Sequence, residues 1–156
     1  MNIRIQSDLK NVGVFLTGFN ARLSDLSPFW KNYVAPYTYD TIERIFDTQG
    51  NGTWAALNPI YAARKAITHP GQPILRRDDV YYKAATGPNH SDSVAMIDPL
   101  SLVLGVETPY AAYHEEGRGV PARQVYHLIP QMLGFEQDLQ RLGEDYERDI
   151  IRLLGG

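Results

Sequence analysis

The end of this chain carries the pattern that most restricts its fold. Phe135, Leu139, Leu142, Tyr146, Ile150 and Leu153 recur at intervals of three and four, and Ile151 and Leu154 double the stripe at its close. That period belongs to a helix with one apolar face. Its other face carries Glu136, Asp138, Glu144, Asp145, Glu147 and Asp149 against Arg141, Arg148 and Arg152. Such a helix needs apolar surface to lie on, so the rest of the chain has to supply a packed layer.

The preceding segments predict that layer. Ile3 and Ile5 alternate with polar residues, as in a short edge strand. Leu9, Val12, Leu16, Phe19, Leu23 and Leu26 form one helical stripe, in which Gly13 and Gly18 each cost about 1 kcal/mol relative to alanine. Ser27-Pro28 reads as a cap followed by a first-turn proline. Asp40 and Glu43 have capping-box spacing ahead of Ile42, Ile45 and Phe46, in a helix expected to stop at Gly50 and Gly52. Asn58-Pro59 opens a further helix that ends before Pro70 and Gly71, and Asp78 or Asp79 is placed to cap a short one through Ala85. Ser93 to Ile97 and Leu100 to Val106 read as strands joined by Asp98-Pro99, with Leu100, Leu102, Leu104 and Val106 on one face. Thr108-Pro109 starts a short helix through Glu116, closed by Gly117, and Arg123 to Leu128 reads as another strand. The expected class is α+β: a small, mainly antiparallel sheet packed with amphipathic helices and ending in a long C-terminal helix, one domain over residues 1–156.

Composition removes several functions. Cysteine is absent from the 156 residues, which excludes disulfides, thiolate chemistry and sulfur-based zinc sites. Lys and Arg number 15 against 18 Asp and Glu, for a formal charge of −3. The cations are scattered and outnumbered, a poor basis for gripping phosphates but compatible with letting DNA pass. No apolar run is long enough to span a bilayer, and the N-terminus lacks the apolar core of a signal peptide, so neither membrane insertion nor export is expected.

The stretch Glu107 to Arg123, ETPYAAYHEEGRGVPAR, looks the most chemical. His114, Glu115 and Glu116 are adjacent, however, and neighbours on a helix point about 100° apart. The position four after His114 is Arg118, which rules out the two-histidine zinc motif. The expected arrangement has Tyr110, Tyr113 and His114 facing the protein and the glutamates facing solvent or a neighbour. Gly117, Gly119 and Pro121 shape a turn that presents Arg123 at a fixed angle, for a forked bond to backbone carbonyls or to a carboxylate, with Glu107 and Glu116 as candidates. His69, His90 and His127 have no ligand spacing. No catalytic residue, metal site or cofactor site is expected. Phe29, Trp30, Tyr33, Tyr37 and Tyr39 crowd a span broken by Pro36, and belong either to the core or to a subunit interface.

Taken in order, FDTQGNGTWAALNPIYAARK (46–65), QPIL (72–75), LGVETPYAAYHEEG (104–117) and VPAR (120–123) resemble the tailed-bacteriophage virion morphogenesis, or tail completion, family. The ordered set covers roughly the middle half of the chain. It departs from the family pattern at Asp79, where a glycine is common. The resemblance implies a non-enzymatic virion protein at the head–tail junction, made in the host cytoplasm. It implies a cyclic homo-oligomer, sixfold or twelvefold, between a portal-side or connector ring and the tail tube or terminator, with DNA passing through unbound. Trp54, Tyr110, His114, Gly117, Pro121 and Arg123 are then a structural lock, and Phe29, Trp30, Tyr33 and Tyr37 a candidate subunit interface. A tail terminator capping the tube is the near alternative. Two alternatives come from other classes: a small metal-dependent hydrolase using His114, Glu115, Asp78 and Asp79, and a DNA-binding factor using Arg64, Arg76, Arg77 and Lys83.

Overall fold

The computed structural model describes residues 2–5 and 24–155. The stripe from Leu9 to Leu23 lies outside the described residues. Its last member, Leu26, is buried.

The first long helix, α1, joins an α-helical turn (Ser27–Phe29), a π-helical stretch (Trp30–Val34) and an α-helix (Ala35–Asp47) without a break. Asp40 and Glu43 therefore sit inside a helix and do not start one. The reason is Pro36, which reads as a breaker because it lacks an N–H and crowds the preceding turn. The wider π turn, with the Ala35 N–H reaching back to the Trp30 carbonyl, passes the chain through the proline. At the start, the capping side chain is two residues earlier than expected: Asp25 Oδ1 accepts the Ser27 N–H at 2.9 Å. The buried hydroxyl of Thr38 is satisfied by the carbonyl one turn back, as is that of Thr41.

Helix α1 stops where the glycines predict. Gln49, Gly50, Asn51 and Gly52 all have positive φ, from 53° to 78°, and the Gly50 N–H closes the helix on the Ile45 carbonyl at 2.7 Å. Helix α2 (Pro59–Thr68) begins with the Asn58 side chain accepting the Ile60 N–H at 3.0 Å, as its Asn-Pro start predicts. Helix α3 (Val80–Ala85) follows Asp79, which holds φ 59° and makes no side-chain cap; Arg76 binds its carboxylate at 2.9 Å.

Among the described residues, the sheet has three strands in the order β1-β3-β2, antiparallel throughout: β1 (Asn2–Ile5), β2 (Ser93–Asp98) and β3 (Ser101–Val106). Ile3 aligns with Leu104 and Ile5 with Leu102, so β1 is the edge strand its alternation predicts. Leu102, Leu104 and Val106 are buried together, whereas Leu100 lies in the turn and is exposed. Thr108 does not cap α4 (Ala111–Glu116) with its side chain; its carbonyl accepts the Ala111 N–H. Gly117, at φ 70°, ends that helix as expected.

Residues 123–128 are not a strand. The chain winds into a 3₁₀ helix at Tyr126–Gln131, for a reason given below. Helix α5 (Phe135–Gly155) follows. Phe135 and Ile150 are buried and Leu139, Leu142 and Tyr146 half-buried, but Ile151 and Leu153 are exposed, so the stripe is covered only along part of its length.

Two apolar clusters result. One gathers Ile42, Ile45, Phe46, Trp54, Tyr81, Val106, Val125 and Ile129. The other packs Phe29, Trp30, Val34 and Ala35 on Leu102 and Leu104, and Leu139 of α5 touches both. Phe29 and Trp30 are thus core residues with almost no surface to offer a neighbouring subunit. Tyr33 and Tyr37 are half-buried beneath α5, bonded to Asp149 and Asp138 respectively. Helix α5 hides the ring cluster that looked too large for one small domain. Each fully buried side chain of this size contributes roughly 1.5–3 kcal/mol. Among the described residues, no helix is long and apolar enough to cross a membrane.

Candidate functional site

Three loops meet around Arg123. The first is the left-handed turn after α1. Gly50 has no side chain because Trp54 occupies the space: a Cβ there would lie 2.2 Å from the indole. The ring stands edge-on to Phe46 at 5.6 Å, and its N–H donates to the Gln124 carbonyl at 2.8 Å. The second is the loop 72–79, held by the Ile74 N–H on the Gln49 side chain and by the Lys65 ammonium on the Pro73 carbonyl. The third is the turn 117–123. A Cβ on Gly117 would press Ala122 at 3.2 Å, so this glycine is needed both for its φ and for the close return of the chain.

Arg123 closes the arrangement. It is 5% exposed, and donates from Nε to the Ala55 carbonyl at 3.1 Å and from Nη2 to the Ala56 carbonyl at 3.2 Å. The forked bond expected from the sequence is present, with backbone partners. Neither Glu107 nor Glu116 takes it; Glu116 pairs with Arg118. The lock fastens one part of this chain to another, 67 residues away.

Glu115 is the residue whose environment departs most from expectation. It is 1% exposed. Its Oε1 accepts the backbone N–H groups of Val125 (2.6 Å) and Tyr126 (2.9 Å) and lies 3.3 Å from the Tyr81 hydroxyl. Its Oε2 is 2.8 Å from His127 Nδ1. Successive N–H groups of a strand point to opposite sides. Here they converge on one carboxylate, which fixes the start of the 3₁₀ helix and excludes the strand expected at Arg123 to Leu128. Burial first, and then the Glu115 charge, push the Tyr81 hydroxyl well above its ordinary range.

His114 points the other way, toward a cleft of about 420 Å³ that Tyr110 and Pro121 also line. Its Nδ1 is buried without a hydrogen-bond partner. Burial, followed by the Arg123 charge, lowers its pKa. Tyr113, expected to face the protein, is exposed. Of the six residues expected to form the lock, Tyr110, His114, Pro121 and Arg123 line this cleft, Trp54 bonds the Gln124 carbonyl, and Gly117 packs close to Ala122.

The residues of the hydrolase alternative do not converge. His114 and Asp78 line the cleft, Glu115 is committed to backbone on the other side, and Asp79 is tied to Arg76. Among the described residues, no three of His, Asp and Glu are grouped as metal ligands. Of the DNA-binding alternative, Arg76 is held by Asp79 and stacks on Tyr82 at 3.7 Å, and Arg77 is paired with Asp78 at 3.0 Å. Sequence reasoning missed the burial of Lys65 and Glu115. For Glu115 the available signal was helical spacing, four residues after the buried Ala111; Lys65 lies four after Tyr61, which is itself exposed, and carried no such signal.

Fold and site together define a small α+β protein whose most chemical-looking segment is a polar clasp beside an open cleft. Comparison with protein-family models, with curated proteins and with solved structures finds no match in any of the three.

Proposed function

We propose that this protein is a structural component of a tailed-phage virion, at the head–tail junction, where copies form a ring that joins the portal side of the capsid to the tail and lets DNA pass. One observation carries this reading. The separate segments that resemble the tail completion family are bonded directly to one another. Arg123 reaches Ala55 and Ala56 with its side chain and the His114 carbonyl with its backbone N–H, Lys65 reaches Pro73, and the Gln49 side chain reaches Ile74. Residues with an architectural role are expected to bond one another in this way, whereas catalytic residues are expected to leave reactive groups free in a cleft. Asp79 adds support. It departs from the family's glycine, yet holds the positive φ that a glycine adopts at no cost.

The surface suits subunit contacts. Strand β2 is a sheet edge with Met96 and Ile97 exposed, and Ile60, Ile67, Leu100 and Leu133 are largely uncovered. Such edges and apolar residues are where protein partners add. The carboxylates of α5 suit a wall that repels DNA less well, because Asp138, Asp145 and Asp149 are each paired with an arginine three residues on. Quantitative mass spectrometry of purified virions tests the reading. It expects a copy number near a multiple of six; absence from the particle, or a copy number on the scale of the capsid shell, would refute it.

A further inference from the structure

The cleft beside His114 has an unusual charge balance. Among the described residues, Lys65, Arg77, His114 and Arg123 line it against a single carboxylate, Asp78, which is already bonded to Arg77 at 3.0 Å. Lys65 and Arg123 are each 5% exposed. Neither has a carboxylate partner among the described residues: Lys65 holds the Pro73 carbonyl, and Arg123 holds those of Ala55 and Ala56. Two buried cations thus rest on neutral oxygens, and most of their N–H donors remain unused by these bonds. Burial of unpaired charge is costly, and native interiors normally supply a counter-ion. The same strain shows in Lys65, whose pKa is lowered by burial and then by the Arg77 and Arg123 charges. The buried, unpartnered Nδ1 of His114 is a further polar atom in the same wall.

Apart from Asn58, the rest of the described lining is aliphatic or aromatic. Tyr61, Leu75, Tyr110 and Val120 form the sides, and Tyr61, Tyr110 and Val120 are exposed at the mouth. The volume of about 420 Å³ holds two or three side chains, and the apolar mouth is open to an extended chain.

We infer that this cleft is a socket for a short acidic–apolar segment of another polypeptide, an Asp or Glu carboxylate entering among Lys65, Arg77 and Arg123 while a neighbouring apolar side chain lies against Tyr61 and Val120. The counter-charge that the described residues do not provide would then be supplied by the partner. This inference goes beyond the head–tail reading and is tested on the isolated protein, so either can fail without the other.

The test is an NMR titration of the ¹⁵N-labelled full chain with the capped peptides acetyl-Leu-Glu-Leu-amide and acetyl-Leu-Gln-Leu-amide, and with 3-phenylpropionate as a free acid, each up to about 10 mM. The glutamate peptide is expected to shift the Tyr61, Val120 and Arg123 resonances saturably, at least about tenfold more tightly than its glutamine twin. Lys65→Met is expected to abolish the response. Arg77→Gln, at a position more than half exposed and outside the core, keeps the fold and should weaken binding by about threefold or more, because it also frees the Asp78 carboxylate to repel the ligand. Equal response to the two peptides, no response to either, or an undiminished response in Arg77→Gln would overturn the inference. Binding of 3-phenylpropionate alone would replace the polypeptide with a free acid and overturn it as stated.

Discussion

The carboxylate of Glu115 accepts the backbone N–H of Val125 at 2.6 Å, inside the protein and ten residues further along the chain. A second bond to Tyr126 makes the glutamate a cap supplied from outside the helix it caps. One of the four residues of the hydrolase alternative is therefore occupied in holding backbone.

Glu115→Ala should be severely destabilising. It strands two buried N–H donors at about 1–3 kcal/mol each, so equilibrium denaturation should show a loss of about 2–6 kcal/mol. Glu115→Gln keeps one carbonyl oxygen for Val125 and Tyr126 and should lose less. If the two variants are equal and within about 0.5 kcal/mol of the parent, the clasp is not structural.

Gly50 and Gly52 make a matched pair. Both have positive φ, but a Cβ at Gly50 meets the Trp54 ring at 2.2 Å, whereas one at Gly52 meets nothing within 4 Å. Gly52→Ala should cost about 1–2 kcal/mol from backbone strain alone. Gly50→Ala should cost about 1–3 kcal/mol more, from overpacking, and should alter the fluorescence of Trp54. Similar losses at both sites would mean that the indole does not rest on Gly50.

His114 gives the pH dependence a sign. Its imidazole is lowered from the ordinary 6.5 by burial and by Arg123. The unfolded chain therefore binds this proton more readily than the folded one, and the stability His114 contributes is full above about pH 6.5 and is lost as pH falls below it. Denaturant midpoints measured from about pH 7.5 to about pH 5 should fall, and His114→Gln should flatten that fall. An identical slope in the variant would contradict the placement of His114.

Much of the fold was legible because it rests on local rules. The α5 stripe, the Asn58 cap, the Gly50 and Gly117 stops and the β2–β3 hairpin each depend on residues a few positions apart. The misread features depend on distant partners. Pro36 looks like a terminator until a π turn absorbs it, and the 125–128 segment alternates like a strand until Glu115 draws its N–H groups to one side. At the site, the fork of Arg123 was legible in the turn that presents it, but its partners, Ala55 and Ala56, were not, because bare carbonyls leave no mark on a sequence. Lys65 was missed for a similar reason: a lysine on a helix normally snorkels to water, and only the tertiary fold shows this one buried.

The central proposal, a ring subunit at a head–tail junction, is tested most directly by cryo-electron microscopy of particles assembled with this chain. The account predicts a closed ring of copies around the DNA passage between portal and tail, each copy showing the Arg123 fork and α5 laid on α1. Density for the chain only in the capsid shell, or none in the particle, would contradict it.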